Sequence, residues 1–176
     1  MYVRRVIAGV SGSAGSLQAL RYAAEMARCH GAILVPLLAW LPPGGELADR
    51  RFPSAQLRAA WKEAAWDRLW HAVELAIGGP PGDVDFVPDI VRGEPGQVLT
   101  QVAAQPGDVL VIGAGRHGAA RRILACTVAR YCLAHASCPV IAVPPSPLAA
   151  ETHGLHRWVL RHRLHPEDAD MHAAGA

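Results

Sequence analysis

Lysine is nearly missing from this 176-residue chain: of seventeen basic side chains only Lys62 is a lysine. Lys62 sits in a helical pattern without the glycines of a phosphate-binding loop, so a P-loop NTPase is excluded. Charge is also scarce, at 18% of residues, with a balance of +2 and no concentrated basic stretch. A nucleic-acid module needs such a basic patch, and that class is set aside. Long apolar runs are missing too. The longest, Ala32 to Leu41, is about half of what a bilayer requires and contains Pro36. The run Val6 to Val10 is too short for a secretory signal. Cysteine is limited to Cys29, Cys126, Cys132 and Cys138, with no CxxC and no zinc-ribbon spacing. Reduced thiols in a cytoplasmic protein are the expectation.

What the chain does have is 51% apolar residues, 17 glycines and 14 prolines, enough for one domain with a real core. Val3 to Val10 is apolar and β-branched, as in a strand buried on both faces, and Ser11-Gly-Ser-Ala-Gly15 turns the chain. From Ser16, the apolar spacing Leu17, Leu20, Ala24, Ala27 predicts a helix closed by Gly31. Ile33 to Trp40 reads as a second strand, and residues 42–51 as a surface loop. Ser54 caps a long helix to Ile77, with Leu57, Trp61, Ala65, Leu69 and Val73 on one stripe and Trp66 and Trp70 on the next ridge. The tryptophans are expected to pack on the sheet.

Val84 to Val91 predicts a third strand, at an edge or bulged because of Pro88. A short helix from Pro95, a central strand Val109 to Ile112, a helix Thr127 to Ala136 and a strand Pro139 to Val143 complete an alternating βα pattern. It predicts an α/β fold, a parallel sheet with helices on both faces. The folded part is expected over residues 1–145. Residues 146–176 hold His153, His156, His162, His165 and His172 and read as a solvated tail, with no cysteine or clear acidic third ligand beside the histidine pairs to make a metal site.

In such sheets ligands bind beyond the carboxyl ends of the strands, where the strand order reverses. Two glycine-rich loops fall there, Gly9 to Gly15 and Gly113 to Gly118, the second followed by Arg121 and Arg122. Backbone N–H groups and arginines in such loops suit an anion, and a plain glycine-rich connection with solvated arginines fits the composition equally well. Gly113-x-Gly115-x-x-Gly118 matches the dinucleotide fingerprint in form only. It follows the fourth strand, and no acidic residue occurs between Gly118 and Ala150 to take a ribose hydroxyl. Gly9-x-Ser11-x-Ser13 ends in serine where a nucleophile elbow needs glycine, so hydroxyls bonding to turn backbone are the better reading. Cys126, expected at a helix start among arginines, could have a lowered thiol pKa or simply fill a crowded turn.

The ordered set Val6-Ile-Ala-Gly-Val-Ser-Gly-Ser13, Val91-Arg-Gly-Glu-Pro95, Asp108-Val-Leu-Val-Ile-Gly113 and Ser137-Cys-Pro-Val-Ile-Ala-Val-Pro144 closely resembles the universal stress protein family, in its UspA-like domain. The resemblance spans about residues 1–145. It implies a five-stranded sheet of order 3-2-1-4-5, of the adenine nucleotide alpha hydrolase type, and homodimers paired through the last strand, here Val140, Ile141, Ala142 and Val143.

ATP-binding members of the family carry G-x2-G-x9-G-[S/T] after strand 4. Aligned on this chain the signature falls on Gly113, Arg116, Cys126 and Thr127, so that two of its glycines are replaced. A glycine lets phosphate oxygens reach bare backbone, and side chains at 116 and 126 occupy that space. Ser11 stands where an acidic residue usually ends strand 1, and a serine holds a ribose hydroxyl without charge assistance. Gly113, Thr127 and Val128 match the pattern, Gly118 belongs to the same loop, and Ala39 takes the adenine-side position after strand 2.

The expectation is a non-catalytic stress-response protein, a dimeric binding module with weakened or lost ATP binding, acting on a nucleotide, another small anion or a protein partner. No cofactor is required by the residues, and ATP with magnesium stays open. The alternative is an ATP-binding, slowly hydrolysing member that holds phosphates through arginine side chains. An interaction module recruiting a partner through the histidine-rich tail is a third class.

Overall fold

The computed structural model describes residues 2–114 and 122–144, with the side chains of 122–127 left out. The strands are β1 (Arg5–Gly9), β2 (Ile33–Trp40), β3 (Asp89–Arg92), β4 (Asp108–Gly113) and β5 (Val140–Val143). The helices are α1 (Ala14–His30), α2 (Gly45–Arg51), α3 (Ala55–Ile77), α4 (Pro95–Val102) and α5 (Arg122–His135). The five strands form one sheet in the order β3-β2-β1-β4-β5, all pairs parallel. β1 lies at the centre, with Val6 beside Leu34 of β2 and Val109 of β4.

Parallel strands buried on both faces need apolar residues at every position, and alternate residues feed two separate cores. Val6, Ala8, Leu34, Leu38 and Val111 meet α1 and α3. Ile7, Val35, Leu37, Leu110 and Ile112 belong to the opposite core, with Leu99 of α4 and Cys132 of α5. Small residues bring α1 close to the sheet, since Ala19, Ala23, Ala24 and Ala27 are fully buried. Its ends follow helix-capping chemistry. Ser13 Oγ accepts a hydrogen bond from Ser16 N at 3.2 Å, and Gly31 takes the left-handed conformation, φ 60°, that ends the helix.

Four local features differ from the sequence expectation. Residues 45–51 form α2 instead of a loop, because tertiary ion pairs hold it. The buried Asp49 carboxylate accepts from Arg58 Nε at 2.9 Å and from Arg92 Nη2 at 2.7 Å, while Glu46 pairs with Arg92 at 2.7 Å. β3 is confined to Asp89–Arg92. Before it only Phe86 bridges to Leu34, and Pro88 has no N–H to continue the ladder. α3 reaches the sheet only from Ala65 onward, so Leu57 of the predicted stripe is exposed. Trp61 and Trp66 pack at the core margin, whereas Trp70 is exposed at the rim and tilts against Phe86. α5 begins at Arg122, so Cys126 lies inside its second turn and not at its N-terminus.

At the amino ends of the strands, Arg5 donates to Asp108 at 2.8 and 2.7 Å, fastening β1 to β4. Burial pushes the Asp108 carboxyl up. The hydrogen bonds from Arg5 and from the Gln105 N–H outweigh this and hold it below the usual carboxylate range.

A strand-end cleft as candidate functional site

β1 continues into β2 and β3 on one side, and the chain then crosses back to β4 and β5 on the other. The divergence between β1 and β4 leaves a crevice above the carboxyl ends of the strands, the place where open α/β sheets bind ligands. Here it is a cleft of about 350 Å³. That is within the range of small-molecule sites. Gly9 lies at its base, where a Cβ would stand 3.1 Å from Ile112 and 3.2 Å from Leu99, so that those side chains would have to give by a few tenths of an ångström.

Of the sequence-expected residues, the structure brings Ser11, Ala39, Gly113 and Val128 together around this cleft. Arg116 and Gly118 lie outside the described residues, as do Arg121 and the histidine pairs of the tail. The side chains of Arg122, Cys126 and Thr127 are likewise outside them, although their backbone is helical in α5.

The serine turn is hydrogen-bonded to itself. Ser16 Oγ donates to Ser13 O at 2.9 Å and accepts from Ser11 N at 3.2 Å, and Ser11 Oγ lies 3.1 Å from Ser13 Oγ. Ser16 is buried, while Ser11 and Ser13 are exposed at the cleft mouth. Among the described residues neither exposed hydroxyl has an imidazole or a carboxylate as hydrogen-bond partner. The Ser13 hydroxyl follows the reading of a hydroxyl satisfying turn backbone, accepting from Ser16 N, whereas among the described residues the Ser11 hydroxyl meets only that of Ser13.

Gly113 has a role that the signature alone does not suggest. A Cβ there would stand 2.7 Å from Gly15 C, 2.9 Å from Gly15 O and 3.0 Å from Ser16 N. The end of β4 is therefore pressed against the backbone of the first turn of α1, and only glycine fits. Val10, Leu38, Leu99 and Ala129 supply apolar wall. The thiol of Cys132, just beyond Ala129, is buried and pushed up to about 11 by that burial, which leaves it unreactive.

Arg68 of α3 also lines the cleft, and sequence reasoning missed it. It lies three residues after Ala65 and four before Ala72, both buried, so it borders the apolar stripe of α3. That flanking position was the available signal. It is the only ionisable side chain among the described lining residues. Among the described residues there is no cluster of His, Cys, Asp or Glu suited to a metal ion, and no described helix is long and apolar enough to cross a membrane.

Comparison with known proteins agrees with the sheet order. Among curated proteins, none matches the sequence. Several solved structures share the fold. The chain is similar to the universal stress protein UspA from Lactobacillus plantarum, at 22% identity and a TM-score of 0.63 over 81% of this chain and 99% of that one. It is similar to a universal stress protein from Archaeoglobus fulgidus, at 20% identity and a TM-score of 0.55 over 81% and 99%. A third, a universal stress protein in complex with cAMP, is 24% identical with a TM-score of 0.53 over 83% of this chain and 100% of that one. The family model described as Universal stress protein family matches residues 2–144, and on that match, with the sheet order in place, the chain belongs to the universal stress protein family.

Proposed function

We propose that this universal stress protein is a non-catalytic, cytoplasmic, homodimeric binding module. Its strand-end cleft takes a nucleoside-class ligand and holds ATP weakly. The observation that carries the reading is the chemistry of the described lining, which offers hydroxyls, one guanidinium and apolar wall, with Ser11 at the end of β1. A neutral hydroxyl already engaged with Ser13 gives a ribose less than a carboxylate would. Arg116 and Cys126 in the signature positions remove two of the glycines on which a triphosphate cradle depends. The related protein solved with cAMP supports a nucleotide as the ligand class. Acid–base chemistry needs a titratable pair in reach of the substrate, and the described lining carries none.

β5 is an edge strand of apolar residues, Val140, Ile141, Ala142 and Val143. An apolar edge left open invites pairing, and pairing with a second copy closes it. This supports the dimer.

Calorimetric titration of the full chain with ATP and magnesium tests the reading. Weak binding by the wild type is expected, with a gain of about tenfold in Ser11→Asp, the scale of one charge-assisted hydrogen bond. Tight ATP binding by the wild type with no gain in the variant overturns it. Steady ATP turnover abolished by Thr127→Ala replaces it with the hydrolysing alternative.

A further inference from the structure

The cleft has two walls of different chemistry. Ser11, Ser13 and Arg68 stand on the α1 and α3 side, and Leu99, Val128 and Ala129 on the α4 and α5 side. Arg68 differs from the arginines that hold the fold together. Arg5, Arg58 and Arg92 each pair with a carboxylate within 2.9 Å, and Arg21 donates to the carbonyls of Leu75 and Ala76. Among the described residues Arg68 makes no ion pair, although its helix is anchored by Ala65, Leu69 and Ala72 on either side of it.

Its height in the fold follows from the same contacts. Arg21, in the second turn of α1, is tied to the last residues of α3. At 1.5 Å per residue, Arg68 stands about 12 Å back along α3 from Ala76, toward the strand ends where α1 begins. A guanidinium on the cleft wall is a phosphate-binding group, and the facing apolar wall suits a flat ring. One guanidinium offsets about half of the charge of −1.5 to −2 on a monophosphate and a much smaller share of a triphosphate's.

We propose that Arg68 takes the charge of the ligand, binding the phosphate of a nucleoside monophosphate at the α3 wall and not at the connection after β4. This rests on the reading of the cleft as a nucleoside site, and it names the part of the ligand that the long helix recognises. Arg68 is a specificity residue: it separates a nucleotide from its nucleoside.

The test is calorimetric titration of the full chain with adenosine 5′-monophosphate and with adenosine, for wild type, Arg68→Gln and Arg68→Lys. Arg68 is exposed, and the thermal melt of each variant is expected to overlay that of the wild type. The wild type should prefer the monophosphate by about tenfold or more, a preference that falls with added salt. Arg68→Gln should lose the preference with adenosine binding unchanged, and Arg68→Lys should keep part of it. A preference that survives in Arg68→Gln, or an equal fall for both compounds, overturns the role of Arg68 and leaves the nucleoside cleft standing. No binding of either compound by the wild type overturns both.

Discussion

Gly113 and Gly15 touch each other, yet replacing each by alanine should have opposite consequences. A Cβ on Gly113 would meet Gly15 C at 2.7 Å, Gly15 O at 2.9 Å and Ser16 N at 3.0 Å, all backbone atoms with no rotamer to give way. α1 would have to lift away from β4 at the point where Ser13 caps it. Overpacking of this kind costs about 1–3 kcal/mol. A Cβ on Gly15 has only Gly113 Cα near it, at 3.9 Å, an ordinary contact. Gly15 is helical, and Gly→Ala at a compatible helical site runs from no change to a gain of about 0.5 kcal/mol, by restricting the unfolded chain. Urea unfolding followed by circular dichroism reads both values. The melting temperature should fall by about 3 °C per kcal/mol for Gly113→Ala and hold for Gly15→Ala. Gly113→Ala within 0.5 kcal/mol of wild type, or an equal loss for Gly15→Ala, refutes the argument that this glycine serves helix–sheet packing before any ligand arrives.

Further outcomes follow from the ion pairs and from the sheet edge. The Asp49 carboxyl is held low by Arg58 and then Arg92, and Asp108 is also below the usual range. Carboxylates with lowered folded pKa values stabilise above about pH 4 and lose that contribution as pH falls through their folded values. Urea midpoints should therefore be level near neutrality and drop in acid, and Asp108→Asn should flatten the acid limb; an acid limb unchanged in that variant removes Asp108 from the account. Ile141→Lys on β5 should give monomer or insoluble protein by analytical ultracentrifugation, and an unchanged dimer would place the interface elsewhere.

Regular elements governed by local pattern were legible in the sequence. The continuous apolar runs of β1, β2 and β4 and the caps Gly31 and Ser54 state their conformations through side-chain chemistry acting over a few residues. The resemblance added the order of the strands, and the strand-end position of Ser11, Ala39, Gly113 and Val128 followed from it. α2 was not legible because its helix depends on Arg58 and Arg92, nine and forty-three residues from Asp49. The extent of β3 depends on how far β2 can pair before Pro88 interrupts.

By itself, the sequence determined a parallel α/β chain with glycine-rich strand-end loops, because periodicity, capping and β-branched runs are local properties. Only the tertiary structure decided that Gly113 is pressed against Gly15 and that Arg68 enters the same cleft as Ser11. Those residues are distant in the chain, and the packing of α1 and α3 on one face of the sheet sets their separation.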